Sequence, residues 1–246
     1  MIIDAHVHIG SDVDGASQSI LKLKSNMTRY GIDKSIIFPF NEKEDLVKSS
    51  LELLEHRSAS LLPFLRFDPK LMTPEKLEVL LGHGFYGVKL HPRAQAFDPT
   101  DSKYYKLYEK IGNSGKPLLI HTRKSTPFSP KPLRTNGRFS DPDRIIVLAK
   151  KFPDLNIIMA HFANLSGDAL KAVGKEDNLY VDTSIFGTTF IVKMMCNVLG
   201  AEKMVMGSDA PYSDQEIEML KVRKADISKS EKEKILSGNM RRILSL

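Results

Sequence analysis

Five of the seven histidines in this chain of 246 residues stand at the ends of short apolar runs. His6 and His8 lie one residue apart in MIIDAHVHIG, and side chains alternate along a strand, so both imidazoles share one face. His91 in GVKLHP, His121 in LLIHT and His161 in MAHF each follow such a run, as does Asp209 in MVMGSDA. Lys89 shares a strand face with His91. Imidazoles and one carboxylate around an open coordination position make the donor set of a catalytic divalent metal, and the same groups can act as acids and bases. Each has a plainer use alone. A strand histidine is commonly a hydrogen-bonded core residue, Asp209 can cap the next helix, and Lys89 can pair with a buried carboxylate. Burying all of them in one place is costly unless a cation pairs with them.

What would bring them to one place is the order of the elements. Eight apolar runs read as strands, at 2–9, 35–40, 61–67, 86–92, 117–122, 156–162, 179–184 and 204–210. Segments with helical spacing separate them, and Gly31, Gly115 and Asp141-Pro142 supply stop and start signals. Strands that are apolar on both faces and alternate with helices form a covered parallel sheet. Eight such units across 1–246 predict a single-domain α/β fold, the (β/α)8 TIM barrel. A doubly wound sheet is the alternative, but its GxGxxG turn is missing after the first strand. In a barrel, catalytic groups gather at the C-terminal strand ends, where His6, His8, Lys89, His91, His121, His161 and Asp209 all fall. Closure sets the eighth strand beside the first, hence Asp209 beside His6 and His8, with His121 across the mouth. His56 and His83 fall instead at helix ends.

Composition narrows the partners. The chain is 41% hydrophobic and 27% charged, without the roughly 20-residue apolar run that crosses a bilayer. Its first residues look like strand rather than a secretory leader, and Cys196 is the only cysteine, so a reducing, cytoplasmic setting is expected. The net charge of +6 owes much to runs such as KVRKADISKSEKEK at 221–234, which read as solvated faces rather than a nucleic-acid patch. The long Pro-rich stretch RKSTPFSPKPLRTNGRFS at 123–140 reads as a lid or binding loop. With Arg66, Arg93 and Arg123 it would surround the mouth with positive charge. The expected partner is an anionic small molecule, most simply a carboxylate, contacted by Lys89, His91, Arg93, Arg66 and Arg123. Neither nucleic acid nor membrane is expected, and a homo-oligomer is left open.

In this order, from Asp4 to Leu244, DAHVHI, GVKLHP, LLIHT, MAHF, GSDAP and GNMRRIL resemble the amidohydrolase superfamily. The resemblance is to its amidohydrolase-related branch, which includes aminocarboxymuconate-semialdehyde decarboxylase. It implies that His6, His8, His121 and Asp209 hold one divalent metal ion, zinc ahead of manganese, with His161 a catalytic residue beside it. Dinuclear relatives carry a carboxylated lysine on strand four, which draws attention to Lys89, but the branch resembled is generally mononuclear. Metal-dependent deoxyribonucleases of the TatD type share the opening His-x-His yet carry a glutamate where this chain reads GVKLHP, which argues against a nuclease.

The expected function is hydrolysis of an amide, lactone or ester bond in a small carboxylate-bearing molecule. Metal-activated hydroxide would attack a carbonyl carbon, Asp209 would pass the proton to the leaving group, and His161 would help stabilise the oxyanion. The alternative is non-hydrolytic, metal-dependent decarboxylation of a small unsaturated or aromatic acid. A metal-binding barrel without catalysis is a third.

Overall fold

Each of the eight apolar runs forms a strand in the computed structural model, which describes residues 1–40, 45–123 and 139–246. The loop expected at 123–140 therefore lies largely outside the described residues, apart from Arg123, Phe139 and Ser140. The strands are β1 (Ile3–Ser11), β2 (Ser17–Gln18), β3 (Lys34–Pro39), β4 (Leu61–Arg66), β5 (Gly87–Leu90), β6 (Leu118–Ile120), β7 (Ile157–Met159), β8 (Leu179–Asp182) and β9 (Met204–Val205). The short β2 has no counterpart among the eight expected strands; it is a two-residue antiparallel extension of the end of β1. The other eight run parallel in the order β1-β3-β4-β5-β6-β7-β8-β9.

Closure of the barrel is direct. Val7 and Ala210 form a parallel bridge, the Ala5 amide donates to the Met206 carbonyl (2.9 Å), and the His8 amide donates to Ala210 (2.9 Å). The Asp209 amide donates to the His6 carbonyl at 2.8 Å, so closure itself sets Asp209 against the histidine strand. This is the TIM barrel that alternation predicted.

Alternation also divides the core in two. Ile36, Phe38, Phe64, Leu119 and Ile158 fill the barrel, while Ile37, Leu65, Val88, Leu118 and Ile157 face the helices. Gly87 is required by this packing, because a Cβ there would lie 2.4 Å from the Phe64 ring.

The helical layer comprises α1 (Ile20–Tyr30), α2 (Leu46–Leu54), α3 (Pro74–Gly82), α4 (Tyr105–Asn113), α5 (Pro142–Lys151), α6 (Gly167–Val173), α7 (Thr189–Leu199), α8 (Gln215–Lys224), α9 (Lys229–Glu233) and α10 (Asn239–Ile243). Gly31 ends α1 in the left-handed conformation at φ 70°, donating to Met27, and Pro142 opens α5 after Asp141. The GNMRRIL stretch anchors the last helix: its buried Asn239 donates through Nδ2 to the carbonyls of Ala201 and Met204, both at 2.7 Å. That ties α10 to the entry of β9, and thus to the strand that delivers Asp209. The charged run at 221–234 is mostly at the surface, but Lys221 departs from that expectation and is buried against Glu218. Among the described residues no helix is long and apolar enough to cross a membrane.

Candidate active site

His6 and His8 both point into the mouth from β1, and both are buried. Asp209 meets them from the turn after β9, at a φ of 62°. One of its oxygens, Oδ1, lies 3.0 Å from His6 Nε2 and 3.1 Å from His8 Nε2. The ligand atoms of these three residues all fall within 4.8 Å of one another.

Their hydrogen bonding fits a cation. His6 Nδ1 lies 2.7 Å from Asp182 Oδ2, so the proton sits on Nδ1 and Nε2 is aimed at Asp209. Burial and Lys89 push the His6 pKa down, but Asp209 and Asp182 overcome both and leave it raised. Burial holds His8 neutral by lowering its pKa to about 3, so it has one proton for two ring nitrogens. Its Nδ1 is buried with no hydrogen-bond partner among the described residues. A proton on Nε2 strands Nδ1 as a buried acceptor; a proton on Nδ1 turns the Nε2 lone pair against Asp209. A cation shared by His6, His8 and Asp209 converts that second arrangement into coordination. Burial would raise the Asp209 pKa, yet His6, His161 and the hydrogen bonds from His6 and His8 hold it well below the usual carboxylate range.

A second carboxylate, Asp182 at the end of β8, organises the opposite side. Its Oδ2 accepts from His6 Nδ1, while Oδ1 accepts from the His161 amide (2.8 Å), the Ser184 amide (3.0 Å) and Ser184 Oγ (2.5 Å). Burial opposes its ionisation, but His6 and the hydrogen bonds outweigh burial and keep Asp182 ionised. Because the Ser184 hydroxyl donates to this carboxylate, its oxygen accepts from His161 Nδ1 at 2.7 Å. His161 therefore carries its proton on Nδ1, and its Nε2 lone pair faces His121 Nδ1 at 3.2 Å. Burial lowers the His161 pKa to about 4, so the ring is neutral at pH 7. It is held by an unusual backbone: His161, Phe162, Ala163, Asn164 and Leu165 all have φ between 48° and 60°, one turn of left-handed helix.

Further supports lie around these groups. Asp4 accepts from the Ser208 amide (2.9 Å), Ser208 Oγ (2.6 Å) and Gln215 Nε2 (2.8 Å), fixing the residue before Asp209. Gly207 passes between His6 and Asp182, where an added Cβ would lie 3.1 Å from the Cβ of each. Lys89 Nζ reaches His6 Nε2 at 3.0 Å, and burial lowers its pKa to about 7. His91 stacks on His121 with ring centroids 3.7 Å apart and planes at 12°. Phe38, Phe40 and Tyr212 surround His8.

The structure thus brings His6, His8 and Asp209 together as one donor group. It joins His91, His121 and His161 in a contiguous row, with His121 outside the donor groups found among the described residues. Arg66 is buried and donates through Nη1 to the carbonyls of Pro39 (2.7 Å) and Phe40 (2.5 Å), which holds the chain after β3. The backbone amides of Arg93 and Arg123 both bond to Ser140, and after burial the Arg123 charge is the next cause lowering the Arg93 pKa. Asp182, Ser184 and Asp4 were missed by sequence reasoning. The available signal was the Asp-x-Ser alternation at the end of LYVDTS, matching the end of the other strands.

Comparison with known proteins follows the same outline. A family model described as amidohydrolase matches residues 3–246. No curated protein matches the chain. Among solved structures, 5-carboxyvanillate decarboxylase LigW from Sphingomonas paucimobilis is similar at a TM-score of 0.79 and 14% identity, covering 100% of this chain and 99% of its own. The 2,6-dihydroxybenzoate decarboxylase from Rhizobium has the same score and identity, covering 99% and 98%. A dihydroxybenzoic acid decarboxylase from a Polaromonas species, with bound manganese and 2-nitroresorcinol, scores 0.77 at 15% identity, covering 100% and 97%. These matches overturn the expectation of amide, lactone or ester hydrolysis, because all three are named for loss of a carboxyl group.

Proposed function

Because the chain belongs to the amidohydrolase family, we propose that it decarboxylates a small aromatic or unsaturated acid with the help of a divalent metal ion. The observation that carries this reading is the buried donor group His6, His8 and Asp209 at the mouth of a barrel whose whole length matches hydroxybenzoate-type decarboxylases. His6 Nε2, His8 Nε2 and Asp209 Oδ1 would hold the ion. His121, the fourth ligand implied by resemblance, would complete the set through its Nε2, since its Nδ1 is turned to His161. Zinc suits two or three imidazoles and a carboxylate, and manganese is present in one similar structure. When bound, the ion supplies positive charge that lowers the pKa of a substrate hydroxyl and anchors an oxygen anion.

The chain's own residues would do the rest. Asp209 takes the proton of a substrate hydroxyl on binding. The bond from the neighbouring carbon to its carboxylate then breaks, carbon dioxide leaves, and the electron pair stays on that carbon. Asp209 returns the proton there, so no water is consumed. His161, neutral with its Nε2 lone pair on His121 Nδ1, would hold His121 in place, and the flat His91–His121 stack offers a wall for a planar ring. Arg93 and Arg123 would draw the anionic substrate in.

The test is carbon dioxide release from a panel of hydroxybenzoic and enoic acids, with protein loaded separately with zinc and manganese. Release should vanish in Asp209→Asn while some metal is retained. Turnover unchanged in that variant, or no release from any acid by either metal form, would overturn the reading.

A further inference from the structure

The charged run that begins at Lys221 reads as a solvent face, yet Lys221 and Glu218 are 3% and 0% exposed and form an ion pair one turn apart on α8. Neither residue belongs to the donor group at the mouth. Their remaining hydrogen-bonding capacity goes to the loops that carry it. Lys221 Nζ donates to the carbonyls of Thr183 and Phe186, the latter at 3.0 Å. Glu218 Oε1 accepts from the Ile185 amide at 3.1 Å and from Ser213 Oγ at 2.7 Å. Lys221 Nζ also lies 5.6 Å from the centre of the Phe162 ring. One pair therefore touches the segments after β7, β8 and β9, which bear His161, Ser184 and Asp209.

A buried ion pair is a poor source of stability, because removing two charges from water offsets most of their attraction. An apolar pair of equal volume would pack α8 as well. What the charges add is direction: they hold named carbonyls and amides of a loop that lies beyond the end of the sheet. We propose that Glu218 and Lys221 are positioning residues for His161. By fixing residues 183–186 they keep Ser184 Oγ between Asp182 and His161 Nδ1, which locks the His161 proton on Nδ1 and leaves the Nε2 lone pair to accept from His121 Nδ1. This rests on the proposed function only in assigning His161 work at the mouth; the tautomer is independent of substrate.

The experiment is a 15N–1H correlation of the imidazoles in zinc-loaded protein, with His161 assigned from a His161→Gln spectrum. The native protein should show His161 as a single Nδ1–H tautomer. Glu218→Gln/Lys221→Met, which leaves no buried charge, should lose that signature, with a roughly tenfold or greater fall in kcat and KM within about twofold on any acid the protein turns over. Lys221→Arg, which keeps donors for the carbonyls, should retain the tautomer. A single Nδ1–H tautomer in the folded double variant would overturn the proposal, as would its loss in folded Lys221→Arg. If the double variant does not fold, native-state hydrogen exchange of the unaltered protein decides. Exchange of the Ile185 amide in the same opening as α8 supports the proposal, and a separate, easier opening of Ile185 refutes it. Absence of carbon dioxide release would remove the functional reading while leaving the tautomer result to stand or fall alone.

Discussion

Replacing Asp182 by asparagine should weaken metal binding without touching a ligand. Three donors converge on Oδ1 (the His161 amide, the Ser184 amide and the Ser184 hydroxyl), whereas Oδ2 meets His6 Nδ1. An asparagine has one oxygen, and it will serve the three-donor position. Its NH2 group then faces His6 Nδ1 and donates to it, which drives the imidazole proton to Nε2, the nitrogen turned to Asp209. The ion must displace that proton and forgo a charged partner behind the ring. Losses of this kind typically run from about 10- to 100-fold in metal affinity, or about 1.4–2.7 kcal/mol at 1.36 kcal/mol per decade. A chelator-competition titration at fixed pH, comparing native protein with Asp182→Asn, measures this directly. Thermal melts of the metal-free proteins would separate it from loss of fold. Affinity within twofold of native, in a folded variant, would refute the claim that Asp182 sets the His6 tautomer.

Other consequences can be checked more simply. Arg123→Ala should raise KM for an anionic acid by up to about fivefold, with kcat little changed and a weaker dependence on salt, because the side chain is exposed; an unchanged KM would remove Arg123 from substrate attraction. Asn239→Ala should strand the Ala201 and Met204 carbonyls and cost about 2–3 kcal/mol, a drop in Tm of roughly 4–12 °C by calorimetry. Cys196 is buried, which together with Glu231 and Glu202 raises its thiol to about 11. Thiol reagents at pH 8 should therefore label it roughly a hundredfold more slowly in the folded protein than in denaturant, as mass spectrometry would show.

The barrel was legible because its strands are apolar on both faces and each ends in a polar residue or a turn, a pattern that needs no knowledge of partners. His6 and His8 were legible for the same reason: alternation puts them on one face before anything else is known. Asp209 followed from closure of the barrel, a global property read from counting strands. Asp182 escaped because a single aspartate at a strand end means nothing until its four donors are in place, and those come from β1, the turn after β7 and its own loop. Lys221 escaped for the opposite reason. It sits in a run of charges, and only the packing of α8 against the loop after β8 distinguishes it from its exposed neighbours Arg223 and Lys224. The expectation of hydrolysis had no support in the residues themselves, because a donor group of two imidazoles and a carboxylate does not by itself distinguish hydrolysis from decarboxylation.

The left-handed turn at His161–Leu165 bears on the order in which the molecule assembles. A backbone of that hand costs about 1–2 kcal/mol per residue for L-amino acids, so these five residues store on the order of 5–10 kcal/mol. No isolated segment reading HFANL will adopt it. The turn can form only after β7 and β8 are paired and Asp182 is in place to accept the His161 amide. His161 is therefore seated after β7 has paired with β8. Substitutions in this turn should then accelerate unfolding and leave the folding rate nearly unchanged. Handedness makes the His161 side of the mouth late to acquire its native form.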